Sequence, residues 1–183
     1  MSKDLFALFR EVGRLKRIKR TGWVLKGIKD SESVADHVFR TAFMCMVLGR
    51  KRKLDLIKLV NMALIHDLGE TATSDIRYEE GKRIFASKDA KEKIEEDVLQ
   101  MVLPSTGEKD YYLSLFYEFR DQTSDEARFL KEVEKLEMAL QALEYQEFGV
   151  KPKLMDEFFE NAAKYIKDKE IKKMFEKVRS FRS

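Results

Sequence analysis

Residues 54–69 read LDLIKLVNMALIHDLG. Leu54, Leu56, Ile57, Leu59, Val60, Met62, Ala63, Leu64 and Ile65 are too many for one stripe, so the spacing predicts a helix over 54–68 that is apolar on most sides and central in its fold. Such a helix needs partners on several sides, and the flanking sequence supplies them at the same period. Upstream, Leu5, Leu8, Phe9, Val12 and Leu15 recur at steps of three and four, a first amphipathic helix. Ser33, with Asp36 three residues on, reads as the N-cap of a second, apolar over 38–48 and ending at Gly49. Downstream come helices over about 88–103 and about 109–120. Another, running to about 148, carries Phe129, Leu130, Val133, Leu136 and Leu140 and opens on Thr123 and Glu126 at capping-box spacing. One or two more follow from Leu154. No segment alternates as a strand would. The pattern predicts an all-α protein, a helical bundle forming a single domain over 1–183.

Composition agrees. Two prolines and eight glycines stand where average usage predicts roughly 9 and 13, which favours long helices with few turns. Lys and Arg total 36 against 33 Asp and Glu, a net +3, and the two signs interleave. That argues against a face dedicated to a nucleic-acid polymer. The exception is 14–29, where Arg14, Lys16, Arg17, Lys19, Arg20, Lys26 and Lys29 occur without an acid. It reads mainly as a solvated face, with a phosphate contact by one or two members as the narrower alternative. Cys45, the single cysteine, lies in an apolar run and reads as core, not as a nucleophile. One thiol, no signal-peptide pattern and no apolar run of membrane length lead us to expect a cytoplasmic protein without a membrane partner.

The two histidines exclude any site needing three imidazoles. Both lie beside a carboxylate, in Asp36-His37 and His66-Asp67. A His next to an Asp is more often a structural pair than a ligand set. The second pair is different, because it ends an apolar helix, where unsatisfied polar groups are costly, and a Gly follows two residues later. Helical neighbours point about 100° apart, so His66 and Asp67 share a target more easily at a terminus. Imidazole nitrogen with carboxylate oxygen suits a borderline divalent ion better than calcium. Glu70, four residues after His66, shares its face if the helix continues, and Asp75 lies in the longest loop, 71–87. Glu134 and Glu137 stand beside the apolar stripe of the long helix.

Together the segments ESVADHVFRTAFM (32–44), ALIHDLGETATSDI (63–76) and FLKEVEKLEMALQALEY (129–145) resemble the HD-domain metal-dependent phosphohydrolases, specifically their small 5'-deoxynucleotidase branch. The resemblance covers about 17–145 and implies an HD-type bundle holding one divalent metal ion, Co, Mn or Mg, with Zn or Fe as further candidates. It implies His37, His66, Asp67 and Glu134 as metal ligands, with Glu134 standing where the family has Asp, one methylene shorter. It assigns catalysis to Glu70 and Asp75, and substrate contacts to Arg20, Trp23, Asp75 and Ile76. In RTGW (20–23) the Arg precedes the Trp by three positions instead of the family's one. The implied reaction is hydrolysis of (deoxy)nucleoside 5'-monophosphates to nucleoside and phosphate through a water that the metal activates, in a homodimer. Two other readings stay open: an HD-domain hydrolase of a triphosphate or hyperphosphorylated nucleotide, and a non-catalytic helical interaction module.

Overall fold

The computed structural model describes residues 3–73, 88–103 and 107–182. They form α1 (Lys3–Arg14), α2 (Thr21–Val24), α3 (Val34–Gly49), α4 (Leu56–Ile65), α5 (Glu70–Thr73), α6 (Lys88–Val102), α7 (Gly107–Asp121), α8 (Asp125–Glu147), α9 (Pro152–Tyr165) and α10 (Lys169–Ser180). Among the described residues the only β feature is a single antiparallel bridge between Lys19 and Ser33. The all-α expectation holds.

Three boundaries show how local chemistry sets the ends. Ser33 and Asp36 close on each other as their spacing predicts: Ser33 N and Oγ both donate to Asp36 Oδ2 at 2.7 Å, and Asp36 N donates to Ser33 Oγ at 3.2 Å. This box satisfies orphan amides at the start of α3. At α8 the cap is Ser124, not Thr123. Gln122 takes φ 54°, and Thr123 N still donates to Glu118 O at 3.2 Å. The first extended residue is therefore Ser124, whose side chain accepts from Ala127 N. The third boundary departs from the expected span 54–68, which is not one continuous helix. α4 stops at Ile65, and a tight turn with Leu68 N on Ile65 O at 3.0 Å and Glu70 N on Asp67 O at 3.1 Å carries the chain into α5.

The chain divides into two compact units. The first comprises Met1–Phe39 and Leu64–Tyr117, the second Arg40–Ala63 and Glu118–Ser183. In the first, Leu15, Val34, Val38, Leu68, Leu99, Leu103, Leu113 and Phe116 form one buried apolar cluster. Burying each such side chain contributes about 1.5–3 kcal/mol, and Leu68 and Val38 anchor the stretches bearing the two histidines. In the second unit α8 packs against α9 and α10, burying Leu130, Leu136, Met155, Ile171 and Phe175. Arg40 there donates to Glu137, Glu144 and Gln141 at 2.6–2.9 Å. The pairing offsets the burial of Glu137, which is fully enclosed. Cys45 is buried, and burial pushes its thiol up to about 12, so it is an inert core residue, as its apolar surroundings predict.

Candidate metal centre

His37 is the fourth residue of α3, with its backbone amide on Ser33 O at 3.2 Å. The Ser33–Asp36 box therefore fixes where the helix starts and aims His37 inward, where it is fully buried. His66 and Asp67 sit in the turn after α4. Because that turn abandons the helical 100° step, both side chains point to one place, as their terminal position predicts. Asp67 Oδ2 lies 3.4 Å from His66 Nε2 and 3.8 Å from His37 Nε2. The imidazole centroids are 5.6 Å apart, edge to face. One ligand atom from each of the three residues falls within 4.8 Å of the others.

The donor set is the test of whether a metal fits. Two imidazole nitrogens and one carboxylate oxygen converge in a nearly dry spot, with Asp67 at 16% exposure as its opening. That is a ligand set for a borderline divalent ion, and three protein ligands leave coordination positions for water or substrate. Arg20 donates from Nη1 to the same Asp67 Oδ2 at 3.0 Å, the kind of outer contact that orients a ligating carboxylate. Within 14–29, Arg14, Lys16, Arg17 and Lys29 are exposed, as a solvated face predicts, and Arg20 is the buried exception.

Glu70 begins α5 and is buried. With α4 ended at Ile65, the turn and not a continued helix brings it beside the pair. Lys91 Nζ donates to Glu70 Oε1 at 3.1 Å and lies 3.2 Å from Glu95 Oε1. Burial pulls the Lys91 ammonium down, but Glu70, Glu95 and Asp67 outweigh it and hold the group above its usual range. Sequence reasoning missed both Lys91 and Glu95. Their i,i+4 spacing on α6 matches that of Lys93 and Asp97, an exposed surface pair, so nothing in the pattern marks them out.

Gly69 has a different job from the helix stop its position predicts. Its φ lies outside the left-handed region. A Cβ there would sit 2.6 Å from Glu95 Cβ and 3.0 Å from Glu95 Cα, so the glycine is what lets α6 approach the turn. Gly69→Ala is expected to destabilise the protein by about 1–3 kcal/mol, the usual cost of overpacking. Urea unfolding measures this, and an unchanged midpoint would show that α6 yields freely.

Trp23 is buried at 1% exposure and its Nε1 donates to Glu32 Oε1 at 2.8 Å. Glu134 lies on α8 in the second unit, where Lys131 Nζ reaches Oε2 at 2.9 Å and Lys135 Nζ reaches Oε1 at 3.2 Å. Its carboxylate is thus held between two ammonium groups. Asp75 and Ile76 lie outside the described residues.

The chain is similar to known proteins over most of its length. The family described as HD domain matches residues 12–179. The 5'-deoxynucleotidase HDDC2 of Xenopus laevis is 37% identical over 169 residues, covering 92% of this chain and 83% of that protein. The 5'-deoxynucleotidase HDDC2 of Homo sapiens is 34% identical over 185 residues, covering 100% and 88%. Among solved structures, a conserved hypothetical protein from Pyrococcus furiosus superposes with a TM-score of 0.76 at 32% identity, covering 94% of this chain and 98% of that one.

Proposed function

This chain belongs to the HD-domain family, and from that membership we propose that it is a 5'-nucleotidase releasing nucleoside and phosphate from (deoxy)nucleoside 5'-monophosphates. The single observation that carries the reading is the convergence of His37, His66 and Asp67 on one buried point, with Glu70 opening α5 just after the turn. Those three residues would hold one divalent metal ion, and the resemblance adds Glu134 to the ligand set. Once bound, such an ion lowers the pKa of a coordinated water and polarises a phosphoryl oxygen.

The chain's own residues supply the rest. Glu70 accepts a proton from the attacking water as the new P–O bond forms, then returns one to the 5'-oxygen as the ester bond breaks. Arg20, at 11% side-chain exposure, brings a guanidinium charge to the edge of the cluster, where it orients Asp67 and offsets phosphate charge. Asp75 completes the reading as a second catalytic acid that also contacts substrate, and Trp23 and Ile76 as further substrate contacts.

Assay of the deoxynucleoside and nucleoside 5'-monophosphates with added Co, Mn or Mg tests the proposal. Phosphate release is the expected result. Absence of release with every metal, from folded and loaded protein, would overturn it. Pyrophosphate or triphosphate as product would instead identify another nucleotide hydrolase of the family. Less than a small fraction of one ion bound per chain would favour the interaction module. The reading extends to a homodimer, supported by exposed Phe39, Phe43 and Val47 at helical spacing on α3. It extends also to a reducing compartment, which suits a lone buried thiol.

A further inference from the structure

We infer that Lys91, on α6, is a positioning residue for the hydrolytic step, holding the Glu70 carboxylate in the orientation from which it exchanges protons. The inference rests on the reading of Glu70 as the proton-handling acid. Three observations carry it. Lys91 Nζ spans Glu70 Oε1 at 3.1 Å and Glu95 Oε1 at 3.2 Å, so the ammonium is itself fixed from its own helix. The side chains are 21%, 6% and 13% exposed for Lys91, Glu70 and Glu95, which shields the pair from the solvent that makes surface ion pairs weak. And at Gly69, the residue before Glu70, α6 packs with no room for a Cβ against Glu95.

The contrast with Lys93 shows that this is not the general behaviour of α6. Two residues along, Lys93 is 62% exposed and pairs with Asp97 and Glu96 on its own helix. Lys91 instead reaches across 21 positions of sequence to an acid beside the candidate metal ligands. A glutamate has three side-chain torsions, and a proton-transferring oxygen misplaced by about 1 Å costs about 100-fold in rate. One hydrogen bond to Oε1 from a fixed cation removes most of that freedom, while Glu95 holds the cation from its own helix.

The experiment is a double-mutant cycle on the full chain loaded with Mn, using a deoxynucleoside 5'-monophosphate that the wild-type protein turns over. Lys91→Met is expected to lower kcat by about 10–100-fold, the range of outer contacts that orient a reacting group, with KM changed less than about threefold and bound Mn unchanged. Lys91→Arg, which keeps the charge, recovers most of the loss. In the Glu70→Gln background, Lys91→Met costs less than about threefold, because the carboxylate it positions has already gone. Lys93→Met leaves kcat unchanged. Where Lys91→Met does not fold, Lys91→Gln runs the same cycle. A kcat for the Lys91 variant within twofold of wild type overturns the inference, as does an equal loss in both backgrounds, which would mean Lys91 acts independently of Glu70. In both cases an active wild type and an inactive Glu70→Gln leave the nucleotidase reading standing. An inactive wild type removes that reading and this inference with it.

Discussion

Asp67→Asn is expected to reduce phosphate release by about 10²–10⁴-fold, since the several kcal/mol that a bound metal contributes is spread at about 1.4 kcal/mol per tenfold. The substitution keeps the shape of the side chain and removes its charge. Asp67 is where the site's contacts meet: its Oδ2 faces His66 Nε2, His37 Nε2 and Arg20 Nη1 at 3.4, 3.8 and 3.0 Å. An amide offers a weaker oxygen to the ion and an NH₂ that competes for the same space. It also removes the Arg20–Asp67 ion pair. Breaking a buried pair costs about 3–5 kcal/mol, and the partial exposure of both groups reduces that figure here. Two measurements follow. Wild-type protein gains thermal stability when Mn or Co is added, because the ion binds the folded state alone, and Asp67→Asn loses this gain. Metal analysis after dialysis gives about one ion per chain for wild type and far less for the variant. One tightly held ion in Asp67→Asn, with the same thermal gain, would remove Asp67 from the ligand set.

The sequence allowed Asp67 to be picked out, and the reason is physical. A buried apolar helix that ends on His-Asp must either pair those groups or use them, and a helix terminus is where adjacent side chains can converge. The Ser33–Asp36 box was legible on similar grounds, because the interaction is local and its partners are three residues apart. Lys91 was not legible. Its bond to Glu70 depends on α6 approaching the turn at Gly69, a tertiary fact that an i,i+4 pair on a helix does not encode. The same limit explains α4. An apolar run fixes that a stretch is helical and buried, but hydrogen bonds of the i,i+3 kind at Leu68 and Glu70 decide where the helix gives way to a turn. The residue that opens α8 was misread for a related reason. Thr123 and Ser124 are both capping types, Ser the better of the two, and Thr123 draws the reading through Glu126 at capping-box spacing, while the chain path with positive φ at Gln122 puts Ser124 at the cap.

Glu70→Gln is expected to keep the metal and lose the turnover, with kcat lowered by about 10²–10⁴-fold, the range that a positioned acid–base group contributes. The separation of these two properties distinguishes Glu70 from Asp67. Glu70 stands on α5 beyond the turn, outside the group of ligand atoms that converge within 4.8 Å, so a neutral isostere there leaves the ligand set intact. It cannot, however, accept a proton from water. Stability should change little. The Gln side chain still offers an oxygen to Lys91 Nζ, and Glu95, 3.2 Å from the same ammonium, keeps that buried cation paired. Bound Mn, the thermal gain on Mn addition and KM should therefore match wild type while kcat falls. If kcat stays within threefold of wild type, proton transfer belongs to another group and Glu70 serves only to neutralise Lys91. If kcat falls together with metal content, Glu70 is a ligand, and the open positions inferred for substrate and water are fewer by one.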